Sequence, residues 1–118
     1  MKRVFQTISL SVVIAAGGLA YAGSAEFSAG SKLLEEANGA MHQSMSIDMT
    51  GDVDVDFVLS MIPHHDGAVD MAKIVIEHGD DPEIRKLAEA IVKAQESEIA
   101  FMEDWLARKG VAADHGAH

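Results

Sequence analysis

Two long stretches of this chain carry apolar residues at helical spacing, and the punctuation between them is explicit. The first runs from about Asp54 to His78 and stops at Gly79. The second opens with Asp80 or Asp81 as cap, Pro82 in the first turn and Glu83 behind it, and runs to about Lys109 with Gly110 as the stop. Acidic caps, proline at the start and glycine just past the end are the signals of helix termini. At about 100° per residue, Phe57, Val58, Met61, His64, His65, Ala68, Met71, Ala72, Val75 and Ile76 share one face of the first stretch. Asp66, Asp70, Lys73 and Glu77 share the other. The second stretch has an apolar face of Ile84, Leu87, Ala88, Ile91, Ile99, Met102, Trp105 and Leu106, with Gln95 and Glu98 in the middle of it. A third, shorter helix is expected from Ser31 to about Met45, where Leu33, Leu34, Ala37, Met41 and Met45 recur at helical spacing. No strand pattern and no internal repeat is present. The expectation is therefore an all-α bundle of about three main helices over residues 31–110. Three helices bury a limited core, so completion by a homodimer is an expected partner arrangement. Pro63 falls inside the first long helix and is expected to kink it just before His64-His65, because it cannot donate to the carbonyl of Leu59.

The ends of the chain are different in kind. Lys2 and Arg3 precede a largely apolar run from Val4 to Ala16, then Gly17-Gly18 and the small-x-small triplet Ala20-Tyr21-Ala22. That is the layout of a secretory signal peptide over residues 1–22, cleaved after Ala22 or after Ala25. The run is shorter than the roughly 20 apolar residues of a membrane span, so stable membrane insertion after cleavage is not expected. Residues 23–30 read as a flexible lead-in and 111–118 as a disordered tail. The expected location is exported, periplasmic or secreted.

Charge narrows the partners. The chain has 9 basic and 19 acidic residues, a formal net charge of −10, and loss of Lys2 and Arg3 makes the remainder more acidic still. Nucleic acid and anionic membranes repel such a chain, whereas cations are attracted. With no cysteine, neither disulfides nor thiolate chemistry are available. The spaced Asp52, Asp54 and Asp56 invite comparison with a calcium loop, but the sixth and twelfth positions hold Phe57 and Pro63 where Gly and Glu are required. Helix capping is the better reading of these aspartates.

The residues that carry chemistry are methionines and histidines. Met41, Met45, Met49, Met61, Met71 and Met102 lie beyond the signal segment, and His42, His64 and His65 sit among the first five. Burying a polar side chain without a partner costs about 1–3 kcal/mol. His64, His65, Gln95 and Glu98 therefore need partners: one another in a hydrogen-bonded core cluster, water, or an ion. Thioether is a soft ligand that selects copper(I) or its heavier analogue silver, and imidazole suits copper in either oxidation state. The candidate metal ligands are Met61, His64, His65, Met71 and Met102, with Met41, His42 and Met45 offering the same chemistry in the first helix. Gln95 and Glu98 are candidates for orienting an imidazole. For a single methionine such as Met102, gap-filling in the core is the plainer reading. His78 suits a helix C-terminus, and His115 and His118 lie in the tail.

Met61-Ile62-Pro63-His64-His65, Ala68-Val69-x-Met71-Ala72, Leu87-Ala88-x-x-Ile91 and Gln95-x-x-Glu98-Ile99-x-x-Met102-x-x-Trp105-Leu106 together resemble the signature of the domain of unknown function 305 family. Thr50-Gly51-Asp52-x-Asp54-x-Asp56-Phe57 and Met41-His42 fit it as well, so the resemblance covers about residues 38–109. It implies a ferritin-like helical bundle, usually exported in bacteria, some members of which are associated with copper or silver binding. It implies no settled enzymatic activity. The leading functional expectation is an exported copper(I)-binding buffer or chaperone. The alternatives are a structural or interaction module, and, less favoured, a ferritin-like redox enzyme. Against the last, the di-iron arrangement uses Glu-x-x-His pairs, and the chain contains no Glu-x-x-His.

Overall fold

Three aspartate and serine caps set where the helices begin. In the computed structural model, which describes residues 27–113, α1 spans Ala29–Ser44, α2 spans Val53–His78 and α3 spans Pro82–Lys109. No strand occurs among the described residues. The all-helical architecture with three main helices is thus as expected. Asp52 accepts from the backbone N–H groups of Asp54 and Val55 at 3.0 and 3.2 Å. Asp81 accepts from those of Glu83 and Ile84 at 2.8 and 3.3 Å. Each such cap contributes about 1 kcal/mol. α1 begins two residues before the expected Ser31, because Ser28 Oγ accepts from the Ser31 N–H at 3.1 Å and draws Ala29 and Gly30 into the helix.

The two glycine stops work differently. Gly110 adopts the left-handed conformation, with φ of 72°. Its N–H donates to the Ala107 carbonyl at 3.1 Å, and the N–H of Val111 reaches the Leu106 carbonyl at 3.0 Å. This paired closure turns the chain back sharply, and Val111 and Ala113 consequently pack against the core. The loose tail expected from residue 111 therefore does not begin there. Gly79 is instead extended, with φ of −76° and ψ of 140°. A side chain is excluded there by space: a Cβ would lie 2.6 Å from the Val75 carbonyl oxygen. The signal segment, the lead-in up to residue 26, and His115 and His118 lie outside the described residues.

α2 is the hub. α1 and α3 each pack on α2 and not on each other. α1 lies antiparallel against it, close enough that a Cβ on Gly67 would meet Met41 Cγ at 2.5 Å and one on Gly30 would meet His78 Cβ at 2.8 Å. α3 returns along the other flank, where Val55, Val58, Ile62, Met102 and Leu106 form the core cluster and Leu106 is fully buried. At 100° per residue, the Gly67–His78 stripe and the Val55–Ile62–Val69 stripe are almost diametrically opposed on α2. The three helices therefore form a single layer. Pro63 lies within α2, which continues through it as one helical element.

A single layer has two outer faces. One carries Asp66, Asp70, Lys73 and Glu77, the polar face expected from the sequence. The other carries Phe57, Met61, Ala68, Met71 and Val75 from α2, beside Ile84, Leu87 and Phe101 from α3. Periodicity predicts burial for Phe57, Ile84 and Leu87, yet they are 61%, 49% and 54% exposed. The reason is topological: the flanks of α2 are occupied, and no fourth element among the described residues covers this face.

The glycines give a graded test of this packing. A Cβ added at Gly39, in α1, would have nothing within 4 Å, so Gly39→Ala should raise stability by up to about 1 kcal/mol. Gly79→Ala should lower it, since the obstructing atom is backbone. Gly67→Ala should lower it as well, because a Cβ there would lie 2.8 Å from Met41 Cβ, which cannot move without the α1 backbone. Thermal melts followed by circular dichroism would rank them; a Gly79→Ala variant as stable as Gly39→Ala would contradict the geometry.

Candidate functional site

Helical periodicity sets Met61 and His65 one turn apart on α2, and Glu98 and Met102 one turn apart on the facing stretch of α3. Where the two pairs meet, they line an open groove of about 360 Å³ with Phe57, Val58, Ser97 and Phe101. The groove is walled mainly by apolar surface, and one polar pair is set into it. His65 Nε2 lies 2.5 Å from Glu98 Oε2, with the imidazole largely buried (14% exposed) and the carboxylate reaching outward. An ionised carboxylate only accepts, so Nε2 carries the hydrogen. In the neutral ring this leaves Nδ1 as a bare lone pair, and Nδ1 is buried with no partner. Gln95, one turn from Glu98 on the same stripe of α3, also has a buried, unpartnered Oε1. With the ring neutral, both orphaned atoms are acceptors, and each such atom costs about 1–3 kcal/mol unless a donor meets it.

The structure divides the residues singled out from the sequence. It brings together Met61, His65, Met102 and Glu98, with Met102 buried and Met61 half-buried. It does not bring His64 into this groove. That ring is exposed, its centroid 6.2 Å from the His65 ring. Met71 is two turns further along and lines a separate, wholly apolar groove of about 320 Å³ with Leu34, Val75, Leu87 and Ile91. Met41 is seated over Gly67 at the α1–α2 crossing, Met45 is half-buried and His42 is exposed. The expected grouping of Met61, His64, His65 and Met71 around one ion is therefore divided: Met61 and His65 line one groove, Met71 another, and His64 neither. A face as wide as theirs on a helical wheel meets two neighbours here, not one. Phe57 and Phe101 stand at the mouth of the groove. The helical pattern assigns Phe57 to the core and gives Phe101 no role; only the offset of Phe101 by one position from the Glu98–Met102 seam hints at its place.

Among the described residues, no three histidine, aspartate or glutamate side chains come together as a metal-holding group. What does converge is one imidazole, oriented by a carboxylate and flanked by two thioethers.

The aspartates of the α1–α2 connector have a structural task. Asp52 caps α2, Asp54 sits in its first turn, and Asp56 folds back on the loop. Its Oδ1 accepts from both the N–H and the hydroxyl of Thr50 at 2.7 Å, and its Oδ2 from the Gly51 N–H at 3.1 Å. Gly51 has φ of 96°, a left-handed conformation that glycine alone adopts without strain. Thr50-Gly51-Asp52-x-Asp54-x-Asp56 is thus a cap and a loop clasp rather than an ion site.

The family described as "Domain of unknown function (DUF305)" matches residues 54–118. The chain belongs to that family. The match takes in α2 and α3, whereas α1 precedes it. A protein of Acanthamoeba polyphaga mimivirus named "Uncharacterized protein L153" is 39% identical over 49 residues, which is 42% of this chain and 32% of that protein. The chain thus matches about a third of that relative's length.

Acid should open the clasp. Hydrogen bonds from the Thr50 hydroxyl, and then the Thr50 and Gly51 amides, hold the Asp56 carboxyl below its ordinary value. A depressed carboxylate pKa stabilises the fold above the unfolded value, about 3.9, and this is lost as pH falls through the lower folded value. An NMR titration should show Asp56 protonating below the ordinary range, with the Thr50 and Gly51 amides shifting in step. A midpoint in the ordinary range would contradict the clasp.

Proposed function

We propose that this protein is exported and binds a soft metal ion, copper(I) or its analogue silver, as a buffer or chaperone that performs no reaction on it. His65 Nδ1 and the thioethers of Met61 and Met102 would hold the ion, and Glu98 would fix the imidazole through Nε2. The observation that carries this reading is the buried, unpartnered Nδ1 in a groove lined by those two thioethers. A histidine whose other ring nitrogen is bonded to a carboxylate is the usual form of a metal-ligating histidine. Thioether contributes little to a zinc site, which favours copper(I) over zinc(II). The acidic chain raises the local concentration of cations. The signal-like N-terminus supports export, to a compartment where a free soft ion would be met first.

Copper(I) titration against a competing chelator tests the site. His65→Ala should abolish tight binding. Met61→Leu, which keeps volume and apolar character, should weaken binding while leaving the melting temperature nearly unchanged. Glu98→Gln should cost about 10–100-fold in affinity, the usual effect of removing an orienting partner. His64→Ala should have little effect, since that ring lies outside the groove. Wild-type affinity in His65→Ala, or a larger loss in His64→Ala, would overturn the assignment.

A further inference from the structure

A thioether has a second chemistry besides ligation: a peroxide converts it to a sulfoxide. The methionines of this fold are held in unequal surroundings, so they are unequally open to that step. Met49 lies in the connector between α1 and α2 and is 66% exposed. Met102 is 7% exposed and belongs to the core cluster. Met61 stands between these extremes, half-buried on the wall of an open groove. The two thioethers that share this groove therefore differ in what can reach them. We propose that Met61 is an oxidation switch: hydrogen peroxide converts it to the sulfoxide ahead of Met102, and the groove then loses its hold on copper(I) while the fold stays intact. The copper half of this proposal rests on the function proposed above, whereas the order of oxidation does not.

The step needs peroxide and nothing else. A sulfur lone pair attacks one peroxide oxygen, the O–O bond breaks and an S–O bond forms. The second oxygen leaves as water and carries both protons. Sulfur gives up two electrons and the peroxide takes them. The product offers a hard oxygen where a soft sulfur stood, a poor match for copper(I). It also makes an apolar side chain polar. At Met102 that change would fall inside the core. At Met61 it is tolerated, because the groove has about 360 Å³ of open space and its lining includes the hydroxyl of Ser97, a donor for the new oxygen. The other methionines bear less on the groove: Met41 is wedged over Gly67, and Met71 lines the separate apolar groove. Met49 can thus be reached without consequence, Met102 matters but is shielded, and Met61 is both reachable and consequential.

The test treats the metal-free full chain with hydrogen peroxide in stages and then removes the peroxide. Peptide mass mapping follows each methionine, and copper(I) affinity is measured against a competing chelator. Met49 should oxidise first, and Met61 well before Met102. Affinity should fall in step with Met61 and not with Met49, down to the level of Met61→Leu, with helical circular dichroism retained. Met61→Leu treated in the same way should lose no further affinity until Met102 is converted. Met102 oxidising as fast as Met61 would overturn the proposal, as would wild-type affinity in protein whose Met61 is fully converted to sulfoxide. Untreated protein that binds no copper(I) would sink the proposed function and the switch with it, while the map alone would still decide the order of oxidation.

Discussion

Everything in this molecule follows from the grip on α2 from two opposite flanks. Gly67 lets Met41 of α1 lie directly on one flank, and Val55, Val58 and Ile62 lock Met102 and Leu106 of α3 onto the other. Neighbours so placed keep their backbones apart. The domain is then a layer rather than a closed bundle, with one charged face and one apolar face. The groove, the orphaned polar atoms and the exposed phenylalanines are all consequences of that arrangement.

The polar seam between α2 and α3 is where the arrangement becomes chemical. A buried imidazole with an unpartnered nitrogen is destabilising by itself, and an apolar side chain of similar size would pack better at that position. Glu98 holds it in place through Nε2, in a groove that Met61 and Met102 also line. The family to which the chain belongs is defined over α2 and α3, the two helices that build this seam. α1 contributes the flank that steadies α2 and part of the wall of the second groove.

How much of this is legible in the sequence depends on how local each feature is. The caps Asp52, Asp81 and Gly110, and the limits of α2 and α3 to within a residue or so, are readable because each rests on a few neighbouring side chains. The partnership of His65 with Glu98 is foreshadowed by two polar interruptions of apolar faces. What cannot be read is which apolar residues will find cover. Phe57, Ile84 and Leu87 sit on faces that periodicity marks as buried, and only the placement of α1 and α3 on opposite flanks leaves them bare. Of the neighbours His64 and His65, only His65 lines the α2–α3 groove. The clasp by Asp56 is hidden behind the capping role of its neighbours, since its partners Thr50 and Gly51 lie upstream in the connector.

X-ray absorption at the copper edge, on protein loaded with one equivalent of copper(I), tests the central claim most directly. A groove ligand set of His65, Met61 and Met102 predicts a mixed shell of sulfur and nitrogen scatterers with the multiple-scattering signature of a single imidazole, and that signature should vanish in His65→Ala. A shell of nitrogen and oxygen alone, or a spectrum unchanged in His65→Ala, would contradict it.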